Sequence, residues 1–243
     1  MSTYPRFQAE YFIHQSMEEL QYYASVFRDR IAPAFDGLED EAKRIEDEEY
    51  ARLGQFVDPD HTDGSEGAEQ AYFKGVDFYL ATDAVRQGLF NLMIAGLFHL
   101  LEQQAQYLAA RILSNPIIQP DGSGGFQQLK SLLAREFRIN TESFRCWHQL
   151  NELHLVANTV KHGDGRSSDK LKALNPALFK DPNDPLPQFY GLPLRPLVGE
   201  GLRLTSDHFN AYKACVENFW SELTDALLPI FCPQSQPPPL TTD

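Results

Sequence analysis

Asn158, Lys161 and His162 fall within one short stretch, Leu155-Val156-Ala157-Asn158-Thr159-Val160-Lys161-His162-Gly163-Asp164-Gly165. An imidazole, an ammonium and an amide so close together suit acid–base work on a phosphate ester. The ring moves a proton, the ammonium meets anionic oxygens and the amide orients. The apolar residues between them predict a helix, and Gly163 is placed as its left-handed stop.

Projection at about 100° per residue separates two faces of that helix. Leu150, Leu153, Val156, Ala157 and Val160 fall together and must face a core. Asn151, His154, Asn158, Lys161 and His162 fall on the other side, flanked by Trp147 and Leu155. A solvated face ordinarily carries Lys and Glu pairs, whereas amides and imidazoles suit a pocket or a subunit interface. At the helix end the carbonyl dipole favours a charged imidazole at His162, and Lys161 opposes it. That balance is suited to general acid–base catalysis.

A metal is not expected. His154 and His162 are eight residues apart, about 12 Å along a helix, too far to share one ion. The segment Asp58-Pro59-Asp60-His61-Thr62-Asp63-Gly64 has the wrong carboxylate spacing for a calcium loop. No cofactor motif is present either. Plainer roles stand beside the catalytic ones: a histidine at a helix end also serves structure, and Lys161 complements the dipole. His99 and Glu102, one turn apart on an apolar helix, either satisfy each other or line the same pocket.

The elements that must position these residues read as helices. Gln8 to Ala34 is one, and an acidic helix follows from Gly37 to about Leu53. Glu66 to Leu80 is a third, and Thr82 and Asp83 are placed to cap a long core helix reaching Leu113 before Asn115-Pro116. Phe126 to Phe137 is another, and Asn140-Thr141-Glu142 starts the helix that ends at His162. From Gly163 to Leu204 the density of Pro and Gly predicts a long irregular loop, with a short hairpin around Gly199-Glu200-Gly201. Thr205-Ser206-Asp207 caps a last helix to about Leu228. The Pro-rich tail 229–243 is expected to be flexible. The sum is an all-α bundle of about six or seven helices.

Ala157-Asn158-Thr159-Val160-Lys161-His162-Gly163 resembles the motif of the HEPN superfamily, compact helical bundles of toxin–antitoxin, CRISPR and phage-defence nucleases. The resemblance implies a metal-independent endoribonuclease acting as a homodimer, with Asn158 at the polar position and His162 as the catalytic histidine. Leu97-Phe98-His99-Leu100-Leu101-Glu102 resembles the apolar helix with an acidic residue that packs beside the motif. The motif's Arg position falls on Ala157, so Lys161 or Arg166 must supply the cation, and a Lys lacks the bidentate grip. On this reading residues 1–228 are one helical domain: an extension at 8–80, a HEPN-like core at about 82–228 and the irregular insertion at 163–204.

The expected activity is RNA cleavage by 2′-hydroxyl attack. His162 is the acid–base group, Lys161 the charge stabiliser and Asn158 the orienting amide, with Arg166, His154 and Asn151 on substrate and His99 and Glu102 supporting. The alternative is an inactive HEPN-like adaptor or antitoxin subunit of a larger complex. An unrelated helical scaffold with a structural His162 is the third reading.

The net charge of −13 over 243 residues argues against general nucleic-acid affinity. It is concentrated: Asp36 to Glu49 holds eight carboxylates against Lys43 and Arg44, a face for solvent or for a basic partner protein. The longest apolar run, Gly88 to Leu101, is interrupted by Asn91 and His99 and is too short to cross a bilayer. Met1 to Ala9 lacks the pattern of a secretory signal. Cys146, Cys215 and Cys232 read as free thiols in a reducing cytoplasm.

Overall fold

A computed structural model describes residues 4–54, 65–113, 125–163, 165–179 and 201–231. The fold is all-α, with no strand among the described residues. Seven α-helices are described: α1 (Tyr4–Val26), α2 (Leu38–Gly54), α3 (Ser65–Tyr107), α4 (Gly125–Leu132), α5 (Trp147–His162), α6 (Arg166–Leu174) and α7 (Ser206–Phe231). Wider π turns extend α1, α3 and α4 at their C-terminal ends. The calcium-like segment, Asn115-Pro116, the turn tip Gly199-Glu200 and the tail beyond Phe231 lie outside the described residues.

The residues group into two compact units. One comprises Met1–Ala24, Ile94–Asn158 and Asp207–Asp243, the other Ser25–Met93 and Thr159–Ser206.

In the first unit, leucines at i, i+3 and i+4 spacings bury one face of each helix. Leu97, Leu101 and Leu108 of the α3 segment, Leu150 and Leu153 of α5, and Phe219, Trp220 and Leu223 of α7 are fully enclosed. Phe126 joins them, stacking on Trp147 and tilting against Phe219. One amide that enters this core is bonded through its nitrogen: Gln104 donates to the Ser16 carbonyl at 3.2 Å and to Glu19 at 2.9 Å. Gly96 is required where it stands, because a Cβ there would collide with the Tyr23 phenol. Burial pushes that phenol up to about 12.

In the second unit, Glu49 of α2 is a buried carboxylate held by Arg52 at 2.6 Å and Lys74 at 2.8 Å. Those two cations, Arg52 first, hold it down at about 2. Gln87 and Asn91 of α3 form a clamp. Gln87 donates to the Leu204 carbonyl at 2.9 Å and Asn91 to the Leu202 carbonyl at 3.0 Å. Arg203, between those leucines, donates its backbone N–H to the Leu178 carbonyl at 2.7 Å.

Four expectations are corrected. First, α3 runs unbroken through Thr82 and Asp83. The Asp83 carboxylate pairs with Arg86 and Arg203 instead of capping a helix start. Second, Asn140-Thr141 starts only a short 3-10 turn, Thr141–Ser143, and α5 begins later, at Trp147. Third, the predicted loop 163–204 contains α6 and a 3-10 turn, Pro176–Phe179, each anchored by a buried leucine, Leu171 and Leu178. Fourth, the last helix continues through Pro229 to Phe231.

By length and composition one helical stretch, Ser65–Leu113, is apolar enough to cross a membrane. The carbonyl-bonded Gln87 and Asn91 and the ion-paired Asp83 lie on it, which is the chemistry of a core helix.

Candidate functional site

The candidate residues are carried by α5, and its first turn is fastened from α7. Glu222 accepts from the backbone N–H groups of Arg145 at 2.9 Å and Cys146 at 3.3 Å. A carboxylate there satisfies orphan donors at the positive end of the helix. One turn into α5, Glu152 accepts the Tyr212 hydroxyl at 2.6 Å. Burial, and then Glu152, hold the Tyr212 proton far more tightly than in water. The Cys215 thiol donates to the Cys146 carbonyl at 3.5 Å. Its neighbour Cys146, and then burial, push it well up, so Cys215 does not read as a nucleophile.

The two faces of α5 separate as the projection expects. Leu150, Leu153, Val156, Ala157 and Val160 are buried, and Thr159 is buried with them. Asn151, His154, Lys161 and His162 are exposed and Asn158 is half-buried. Gly163 ends the helix at φ 69° and donates to the Thr159 carbonyl at 2.8 Å, so the left-handed stop is present. Asn158 and His162 are one turn apart, about 6 Å along the axis. Arg166, exposed, opens α6 four residues further on.

Among the described residues the side chains of His162, Lys161 and Arg166 make no hydrogen bond or ion pair. A histidine that caps or braces a fold has a partner; this one is exposed, with neither ring nitrogen bonded among the described residues. His154 is different: its ring stacks on Phe98 at 4.8 Å and 26°. That stack brings the Leu97–Glu102 stretch of α3 against α5. His99 lies 3.6 Å from Glu102 one turn along α3, both half-exposed.

No group of three metal-binding side chains occurs among the described residues. A small apolar cleft lined by Ala9, Ile13, Thr224 and Leu227 contains none of the candidate residues. What α5 offers is an open polar surface ending in an uncommitted imidazole and ammonium.

Sequence reasoning missed Glu222, Glu152 and Tyr212. Glu222 has no local signal, since its contact spans 77 residues. Comparison with family models, with curated proteins and with solved structures gives no match.

Proposed function

We propose that this chain is a HEPN-like, metal-independent endoribonuclease that works as a cytoplasmic homodimer in a toxin–antitoxin or phage-defence system. The observation that carries the reading is the exposed, uncommitted His162–Lys161 pair on a helix end whose other face is buried. One copy presents an open surface, so a second copy apposed through α5 would enclose the scissile phosphate between two such pairs.

In this reading the ribose 2′-hydroxyl attacks the adjacent phosphorus and the 5′-oxygen leaves, giving a 2′,3′-cyclic phosphate. His162 takes the hydroxyl proton, and its counterpart protonates the leaving oxygen. Lys161 meets the charge that grows on the phosphorane oxygens, with Arg166 as the second cation and Asn158 orienting the reacting groups. Asn151 and His154, further along the same face, contact the flanking nucleotides. No metal or cofactor is required, because the nucleophile belongs to the substrate.

The test is cleavage of a mixed RNA pool in EDTA by wild type and His162→Ala. Cuts with cyclic phosphate ends that vanish in the variant are the expected result. Equal cleavage by both proteins, or none by either, overturns it for the isolated chain.

One observation favours a second reading. Ala157, at the motif's Arg position, is only 3% exposed, so the register that carries an Arg in the family is spent on packing. A HEPN-like adaptor or antitoxin subunit would keep the fold without the chemistry. Its acidic segment 36–49 would then meet a basic partner.

A further inference from the structure

Many cations of this acidic chain are committed among the described residues. In the second unit Lys43, Arg44, Arg52, Lys74, Arg86 and Arg203 each lie within 4.0 Å of a carboxylate. Lys161, Arg166 and Lys170 are exposed, and among the described residues none of the three has a carboxylate partner. They sit together in sequence, on the last turn of α5 and along α6. The charge distribution agrees. Residues 125–174 hold eight Lys and Arg against five Asp and Glu, a net +3, which leaves −16 for the remainder.

α6 turns these cations into a line. Leu171 and Ser168 are buried, which fixes the helix by one side, and Arg166 and Lys170 recur at i and i+4 on an exposed side. Their separation along the axis is about 6 Å. The two cations are therefore close enough to meet neighbouring phosphates of one strand. Lys172 is not part of the line, since its ammonium lies over the Phe179 ring at 5.2 Å.

We infer that the exposed side of α6, through Arg166 and Lys170, is a phosphate-binding track that carries the RNA strand away from His162. The inference rests on the cleavage reading above and assigns α6 a role in holding the strand beyond the contact that Arg166 makes at the reacting phosphate. It also makes the residual cationic patch specific to one helix.

The experiment is fluorescence anisotropy of a fluorescein-labelled single-stranded oligouridine in EDTA at 50 and 200 mM salt. The proteins carry His162→Ala so that no strand is cut. Three phosphate contacts at a slope of about 0.7 each predict that fourfold more salt weakens binding about 18-fold. Arg166→Gln with Lys170→Gln leaves one contact, and the same step then weakens binding only about 3-fold. Arg30→Gln with Arg111→Gln changes net charge equally at two exposed cations off the track and keeps the 18-fold dependence. If the double α6 variant melts early, Arg166→Gln alone is read instead, at about 7-fold.

An α6 variant that binds with the wild-type salt slope overturns the track and leaves the cleavage reading standing. Absence of RNA binding overturns it too. In that case, sedimentation showing salt-sensitive self-association lost in the α6 variant would identify a second copy as the occupant. Loss of cuts in the His162→Ala comparison is scored separately, so the two ideas fail separately.

Discussion

Glu222→Ala tests how firmly the candidate helix is held. The substitution removes the acceptor of two backbone donors, Arg145 N–H at 2.9 Å and Cys146 N–H at 3.3 Å. Arg145 is exposed, and water replaces the lost partner there. Cys146 is 6% exposed, so its N–H stays dry and unpaired. A cap contributes about 1 kcal/mol and an unpaired buried donor costs about 1–3 kcal/mol, which together place the loss near 2–3 kcal/mol. For a chain of this size that is a drop in Tm of about 5–10 °C. Glu222→Gln keeps an oxygen acceptor and loses only the charge, for about 1 kcal/mol and about 2–4 °C. Arg145→Ala removes an ion pair at 3.8 Å whose Arg side is 92% exposed, and moves Tm by no more than about 1 °C. Thermal melting followed by tryptophan fluorescence reads the right unit, because Trp147 and Trp220, the chain's two tryptophans, both lie in it. A Glu222→Ala protein that melts with wild type, or a Gln variant as damaged as the Ala variant, would refute the reasoning.

Other perturbations have equally definite outcomes. Glu49→Gln removes a group whose folded value, about 2, lies below its ordinary 4.5. Its contribution is complete above 4.5 and disappears as pH falls toward 2, so the wild-type advantage in Tm shrinks across that window. Parallel melts from pH 6 to 2 that stay a constant distance apart contradict this. Asn91→Leu leaves the Leu202 carbonyl without its donor and lowers stability by about 1–3 kcal/mol in urea titration. Unchanged stability would mean that the clamp holds nothing. Ala157→Arg places a charge where the side chain is buried and costs upwards of about 3 kcal/mol. Its melting curve should fall with no gain in RNA cleavage, whereas a stable variant with faster cleavage would show that the register accepts the family's arginine.

The C-terminal half of α5 was legible in the sequence. Gly163 announces the stop, and the spacing of Leu150, Leu153, Val156, Ala157 and Val160 gives the buried face directly. Its start was not legible, because Asn140-Thr141-Glu142 has the composition of a helix cap while the true acceptor, Glu222, comes from a distant helix. The Thr82–Asp83 break failed for a related reason: an aspartate signals a cap only when its carboxylate has no better partner, and Arg86 and Arg203 are better. α6 was hidden between Gly165 and Asn175-Pro176 with a single fully buried leucine, too little periodicity to register. The candidate site was readable as chemistry from residue types alone. Which of those groups lack a partner among the described residues was readable only from the structure.

The Glu222 contact also sets an order of events at the ribosome. The N-terminal end of α5 emerges 77 residues before the carboxylate that fastens it. At about 5–20 residues per second, α5 waits roughly 4–15 s for its brace. Throughout that interval the nascent chain already carries Lys161 and His162 on a helix not yet braced at its first turn. A chain terminated before residue 222 would lack that brace permanently, so the first turn of α5 is fastened only when synthesis is nearly complete.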